Sequence, residues 1–436
     1  MKKLLIKDGR IIDPTRGLDM TGNLLISGAK VSWVGEDNPP PGGCDIISAR
    51  GFIVCPGFID LHCHLREPGF EEKETIAAGT LAAARGGFTT VCCMPNTKPA
   101  LDNQTAIEFV KTRAAAEGVV RVLPIGAVTK GRKGEELADM GELSASGAVA
   151  CSDDGEPVSS SWIMRQALDY SRAFDLPIID HCEDKALTKD GQMNEGLLST
   201  RLGLRGVPAA AEVIMVGRDL ALADLTGGRI HIAHVSTIAA VELIRRAKAL
   251  GIRVTAEATP HHLTLTEEAV RGYDTNAKVN PPLRTAQDID ALIAGLKDGT
   301  IDAIATDHAP HTAADKLCEF DLAPSGISGL ETALGALMAL VHDGRLELSM
   351  LIGKLTAGPA GIINGQYPGL GTLAAGSTAD VAVIDPGREW VVDPASFASK
   401  GRNTPLSGQK LKGKVVATIC GGKIVYKDES LSLEEM

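Results

Sequence analysis

Between Phe58 and Thr306 the chain repeats one unit eight times: a short apolar run, then a longer segment with apolar residues at three-to-four spacing. The runs are Phe58 to His62, Phe88 to Met94, Arg121 to Ala127, Gly147 to Cys151, Pro177 to His181, Arg229 to Val235, Ile252 to Ala258 and Ile301 to Thr306. Apolar runs of this length read as buried strands, and the segments between them as crossover helices. After Ser236, which predicts an N-cap, Ala240, Leu243, Ile244, Ala247 and Leu250 share a helix face, and Gly251 predicts the stop. Ile107, Val110 and Ala114 repeat the pattern behind Asp102 and Asn103. Eight such units predict an α/β fold, a closed (β/α)8 TIM-like barrel of about 250 residues or somewhat more, with an open doubly wound sheet as the alternative. No Gly-x-Gly-x-x-Gly follows the first strand and no phosphate loop occurs, so nucleotide binding has no support.

Both ends of the chain have a different texture. Leu4-Leu5-Ile6 and Arg10-Ile11-Ile12 flank Asp8-Gly9, a hairpin signal, and Asn23 to Ile26 and Val31 to Val34 follow as further strands. Far downstream, Ala379 to Ile384 and Val415 to Ile419 read as strands, and Ile419 to Val425 repeats the hairpin pattern around Gly421-Gly422. Two β-rich ends around an α/β middle predict one small β-sandwich domain formed by both termini. Its halves are 1–55 and 365–436, and 56–364 is the barrel. Two separate hairpins packed elsewhere would leave the same pattern.

Composition narrows the class. A chain of 436 residues can bury a large core plus an accessory one, and a net charge of −11 disfavours a nucleic-acid surface. The basic run Lys130-Gly131-Arg132-Lys133 reads as a solvated loop. Nine cysteines are scattered without a Cys-x-x-Cys pair, and Met1-Lys2-Lys3 does not open a secretory leader, so reduced thiols and a cytoplasmic location are expected. Cys63, Cys92, Cys93, Cys151 and Cys182 lie in or beside apolar runs and are expected in the core. No apolar run approaches the roughly 20 residues of a membrane span.

Chemistry gathers at the strand ends, where a β/α barrel places its active site. His62 and His64 close the first strand, and at i and i+2 both can reach one ion. Asp153 and Asp154 follow the fourth strand, His181 ends the fifth, His231 and His234 flank the end of the sixth, and Asp307, His308 and His311 follow the eighth. Imidazole and carboxylate without thiolate suit a catalytic divalent ion such as zinc. Even four His and two Asp of this set exceed one tetrahedral ion with an open position, so two ions sharing a carboxylate are expected. Such a pair lowers the pKa of bound water to about 7 and supplies hydroxide, while Asp307 shuttles a proton to the departing nitrogen.

The order of these residues resembles the amidohydrolase superfamily. Gly57 to Gly69, Met94-Pro95-Asn96-Thr97, Ser152 to Gly155, Asp180-His181-Cys182-Glu183, Asn280 to Arg284 and Ala305 to His311 are similar to the bacterial dihydroorotases of the longer, type I kind. The resemblance implies reversible hydrolysis of the cyclic amide of (S)-dihydroorotate to N-carbamoyl-L-aspartate in de novo pyrimidine (UMP) synthesis, with two zinc ions. It assigns His62, His64 and Asp307 to one ion, His181 and His234 to the other, and Asp154 to the bridge, with Asp153 as the alternative. His231, His261, His262 and His308 match no family ligand. His64, Arg66, Asn96, Asn280, His311, Ser325 and Gly326 are expected on substrate, Arg66 as a forked donor to its carboxylate. The Pro324-Ser325-Gly326 segment departs from the family in lacking an aromatic centre, which leaves its side-chain contact open. Thr312 to Leu322 is a candidate lid.

Two other readings stand beside this one. Hydantoinases, dihydropyrimidinases and allantoinases usually bridge with a carbamylated lysine after the fourth strand, and Ala148 to Gly155 has none. Some dihydroorotase-like chains serve as non-catalytic partners of aspartate transcarbamoylase, but those have lost their ligands. The expected partners are a small-molecule substrate, a homo-oligomer and an aspartate transcarbamoylase, with neither nucleic acid nor membrane.

Overall fold

The structure is a computed structural model and describes residues 3–37, 43–363 and 367–434. The middle of the chain is α/β with parallel sheets. Phe58–Cys63, Phe88–Cys93 and Arg121–Pro124 form one sheet, and Cys151–Ser152, Ile178–Asp180, Ile230–Ile232, Val254–Ala258 and Ala303–Ile304 form another, each strand parallel to its neighbours in chain order. Parallel bridges from Gly126 to Cys151 and from Cys63 to His308 link the two sheets at both edges. Strand therefore follows strand round to the first.

Neighbouring residues of a strand enter different cores. Phe58 and Phe88 pack edge to face and join the layer that includes Ala82, Ile107 and Ile244 of the helices. Ile59 and Leu61 face inward with Met94, Leu123, Ile125 and Ile179. Burial of an aliphatic side chain on this scale is worth about 1.5–3 kcal/mol each. With both faces covered, polar side chains can meet solvent only beyond the ends of the strands.

Several boundaries differ from the sequence reading. The fourth strand is only Cys151–Ser152, because Gly147 at φ 105° caps the helix Met140–Ser146 and Ala148 N–H returns to Leu143 O. The cap of the helix Ile238–Ala249 is Thr237, whose hydroxyl accepts from Ala240 N–H; Ser236 instead gives its N–H and hydroxyl to Glu212. Asp8-Gly9 is no hairpin. Lys3–Asp13 runs on as one strand, with a bulge where Asp8 takes φ 61° and donates its N–H to the Asn23 side chain, and the true reversal is at Pro14–Arg16. Gly421-Gly422 does turn a hairpin, with Cys420 opposite Lys423.

The two ends of the chain share one nine-stranded sheet. Ile53–Pro56 lies parallel to Lys3–Asp13 on one side and antiparallel to Val381–Val391 on the other, with Pro56 opposite Val381. Ile6, Ile11, Leu24, Ile26, Val54, Val381, Val383 and Ile419 are its buried core. The boundary expected at 364/365 lies outside the described residues. Among the described residues no helix is long and apolar enough to cross a membrane. Cys63, Cys92, Cys93, Cys151 and Cys182 are buried free thiols, as expected of core residues.

Candidate metal centre

Four imidazoles and two carboxylates converge where the parallel strands end. His62 Nε2 lies 3.3 Å from Asp154 Oδ2 and 3.5 Å from Asp307 Oδ1. His64 Nε2 is 3.5 and 3.1 Å from the same two oxygens. On the other side, His181 Nδ1 and His234 Nε2 are 2.9 Å apart and lie 3.7 and 3.5 Å from Asp154 Oδ1. Each Asp154 oxygen thus faces its own pair of histidines. Ligand atoms held tetrahedrally at about 2.0–2.1 Å from a zinc ion lie about 3.3 Å from one another, which is the spacing seen.

The backbone helps to aim these groups. Arg66, His234 and Asp307 take φ 62°, 32° and 45°, a left-handed conformation that costs a non-glycine residue of order 1 kcal/mol or more. Each lies two or three residues beyond the end of its strand.

Electrostatics show what the cluster lacks. Burial opposes charge on Asp154 and Asp307, yet the histidines around them hold both carboxyls well below the usual range. Burial likewise opposes charge on His62 and His181, but the carboxylates outweigh it, drawing His62 well upward and His181 to about 10. The site is short of positive charge, and Nε2 of His62 and Oδ1 of Asp154 are buried without a hydrogen-bond partner among the described residues. One or two divalent cations fit that deficit and that donor set. A further acidic group, Asp180, Cys182 and Asp219, is closed by Arg218, which reaches both carboxylates.

Three supporting residues escaped the sequence reading. Glu257 accepts from His62 Nδ1 at 2.8 Å, which leaves Nε2 to face the cluster, and its other oxygen meets His231 Nε2 at 3.2 Å. His231 is thus buried against Glu257 and Thr255, away from the ligands. Glu183 accepts from His181 Nε2 at 3.0 Å and so turns Nδ1 inward. Asp60 accepts from Thr306 N–H and hydroxyl, tying the first strand to the eighth; burial pushes its carboxyl up to about 6. The available signal was a charged residue inside a buried strand, at Asp60 and Glu257. Asp153 points away from the cluster, its carboxylate taken by Val128 N–H, Thr129 N–H and the Thr129 hydroxyl.

A cavity of about 220 Å³ opens over this cluster, lined by Arg66, Asn96, Asn280, His311, Ser325 and Gly326. All the expected substrate residues border it. Glu67, the obvious ion-pair partner for Arg66, is occupied by Arg113 and by Ile76 N–H, and Arg66 forms no ion pair among the described residues. Asn96 accepts from His64 Nδ1 at 2.8 Å, and Asn280 Nδ2 donates to Glu183. His311 donates Nε2–H to Ser325 O at 2.9 Å; burial, then Arg66, pushes its imidazole down to about 3 and keeps it neutral. Gly326 N–H is taken by Lys278 O. The segment Thr312 to Leu322 is pinned by two buried lysines, Lys278 on Phe320 O and Asp321 O and Lys316 on Thr275 O and Pro324 O. A larger cleft of about 800 Å³ beside Arg85, Trp390 and Lys414 holds none of the clustered histidines.

Residues 51–240 match the family described as Dihydro-orotase-like. A protein named dihydroorotase from Syntrophotalea carbinolica is 53% identical over 98% of this chain and 99% of its own length. The chain belongs to the dihydroorotase family. Another dihydroorotase, from Anaeromyxobacter dehalogenans, is 54% identical over 98% of both chains. Among solved structures, the L-hydantoinase (dihydropyrimidinase) of Arthrobacter aurescens superposes with a TM-score of 0.89 at 25% identity, covering 100% of this chain and 98% of that one. A D-hydantoinase (dihydropyrimidinase) from Thermus sp. gives 0.84 at 26%, over 99% and 97%. This chain thus shares its architecture with these two hydantoinases at about half the identity it has to the dihydroorotases.

Proposed function

We propose that the chain is a dihydroorotase, opening the cyclic amide of (S)-dihydroorotate to N-carbamoyl-L-aspartate and closing it again in pyrimidine synthesis. The observation that carries this reading is a half-buried Arg66 without a carboxylate partner among the described residues, set across one cavity from the His and Asp cluster. That pairing suits a ring bearing both an amide and a carboxylate, and the relatives named dihydroorotase support it.

His62, His64 and Asp307 would hold one zinc ion, His181 and His234 a second, and Asp154 would bridge. The chemistry that ions held by these residues would supply is a lowered pKa of water and polarisation of the amide carbonyl. Arg66 binds the substrate carboxylate, and its guanidinium, lowered by burial to about 10, stays charged at neutral pH. Asn96, Asn280 and the neutral His311 orient the ring. Asp307 takes the proton lost by the attacking water and returns it to the ring nitrogen as the carbon–nitrogen bond breaks.

We read the linked parallel strands as an eight-stranded β/α barrel over 56–364 and the nine-stranded sheet as a small β-sandwich domain from 1–55 and 365–436. The bridges at both sheet edges and the pairing of Ile53–Pro56 with Val381–Val391 support this division. The test of function is dihydroorotate hydrolysis by wild type and Arg66→Met, with metal content measured in both. We expect turnover by wild type and a large rise in KM for the variant. Preferred turnover of a hydantoin lacking the carboxylate, unaffected by Arg66→Met, would assign the chain to the other cyclic amidases.

A further inference from the structure

The loop between Val381–Val391 and Lys410–Cys420 sends a strap from the terminal sheet to the wall of the cavity. Ser399 donates its hydroxyl to Glu74 at 2.5 Å, and Ala398 and Ser399 N–H donate to Glu331 at 2.9 and 3.2 Å. Gly401 follows in close contact with the site segment, where a Cβ would come within 2.5 Å of Pro310 Cβ. Asn403 then enters between two segments that border the cavity, 309–311 and 325–328, and is 3% exposed.

Its side chain joins them on both sides. Nδ2 donates to Ala309 O at 3.0 Å and to Gly326 O at 2.9 Å. Oδ1 accepts from His311 N–H at 3.0 Å and from the Ser328 hydroxyl at 2.8 Å. Its backbone carbonyl accepts Ser328 N–H at 2.8 Å. A carboxamide has two N–H donors and two lone pairs, and all four are engaged. No other natural side chain of this size offers two donors and an acceptor in that fork.

We propose that Asn403 is a positioning residue for substrate recognition, setting the gap across which His311 and Ser325 are presented to the substrate. The same gap is spanned by the bond from His311 Nε2 to Ser325 O, so a change in the separation of the two segments moves both groups together. The inference rests on the dihydroorotase reading of the cavity. Asn403 touches none of the clustered histidines or aspartates, so its effect belongs to binding rather than to metal retention.

The test uses the full-length, metal-loaded protein and the variants Asn403→Asp and Asn403→Ala. Asn403→Asp keeps the shape and the acceptor but turns an oxygen toward two carbonyls, and Asn403→Ala removes the fork without adding charge. Each should raise KM for dihydroorotate by about tenfold or more while kcat stays within about threefold and metal content is unchanged. Ser396→Ala, on the same loop but exposed and with its hydroxyl donated to Asp393 O, should leave KM at the wild-type value. If Asn403→Ala does not fold, Asn403→Asp decides. A lower melting temperature with KM unchanged would reduce Asn403 to a structural tie and overturn the proposal, as would an equal rise in KM for Ser396→Ala. A metal-loaded wild type without dihydroorotate turnover would instead remove the function reading, and Asn403's role with it.

Discussion

The terminal sheet and the rim of strand ends are both buried, but they bury different things. Ile6, Ile11, Leu24, Ile26, Val381, Val383 and Ile419 pack an aliphatic layer on ladders interrupted by bulges. The rim buries His62, His64, Asp154, His181, His234 and Asp307 within a few ångströms of one another, partly on left-handed backbone. An aliphatic layer gains free energy by leaving water, whereas buried charges lose solvation and need a counter-charge. The rim is therefore tuned for reactivity at a local cost in stability that the packed regions offset.

Substitutions can break that contrast. The largest effect is expected for Asp154→Ala, which removes the carboxylate shared by both histidine pairs: activity should fall to background and bound metal should be lost, while Asp153→Ala keeps its metal. Metal analysis and a turnover assay on both variants would check this, and the reverse result would exchange the two aspartates. Asp307→Asn should lower kcat by about a thousandfold or more with most metal retained, since it removes a proton carrier more than a ligand. Glu257→Gln weakens the hold on His62 and should cost about 10–100-fold in metal affinity or activity, read by titration with zinc.

The terminal sheet should respond the other way. Ile26→Ala leaves a cavity in a closed aliphatic layer and should destabilise the fold by about 2–5 kcal/mol, measured by denaturant unfolding, with kcat unchanged. A fall in kcat would mean that the two regions are coupled. The smallest effect is at Asp428, where burial works against the charge but Ser430, Arg388 and Lys414 hold the carboxyl well below its usual range. A carboxyl lowered in the folded state contributes stability above its unfolded pKa of about 3.9 and loses it as pH falls through the folded value. Melts of wild type and Asp428→Asn should therefore differ at pH 7 and converge in acid.

What could be read in the sequence follows the same divide. The eight apolar runs and the histidines and aspartates at their ends were legible because strand burial and ligand chemistry leave marks within a few residues. Asp154 and Asp153 could not be separated, because which neighbour turns toward the cluster depends on Thr129, a residue of another strand's loop. Glu257 and Asn403 were missed for a related reason: each acts through partners far away in the chain. Asp8-Gly9 misled because a left-handed residue serves a bulge as well as a turn, and only the position of the Asn23 side chain tells them apart.

The pairing of Ile53–Pro56 with Val381–Val391 also has a bearing on how the molecule is made. Cys55 and Ala382 are 327 positions apart, so on a ribosome adding about 5–20 residues per second the early strand waits for tens of seconds with one edge open. A nascent chain halted before Val381 would carry that edge unpaired, an invitation to intermolecular pairing.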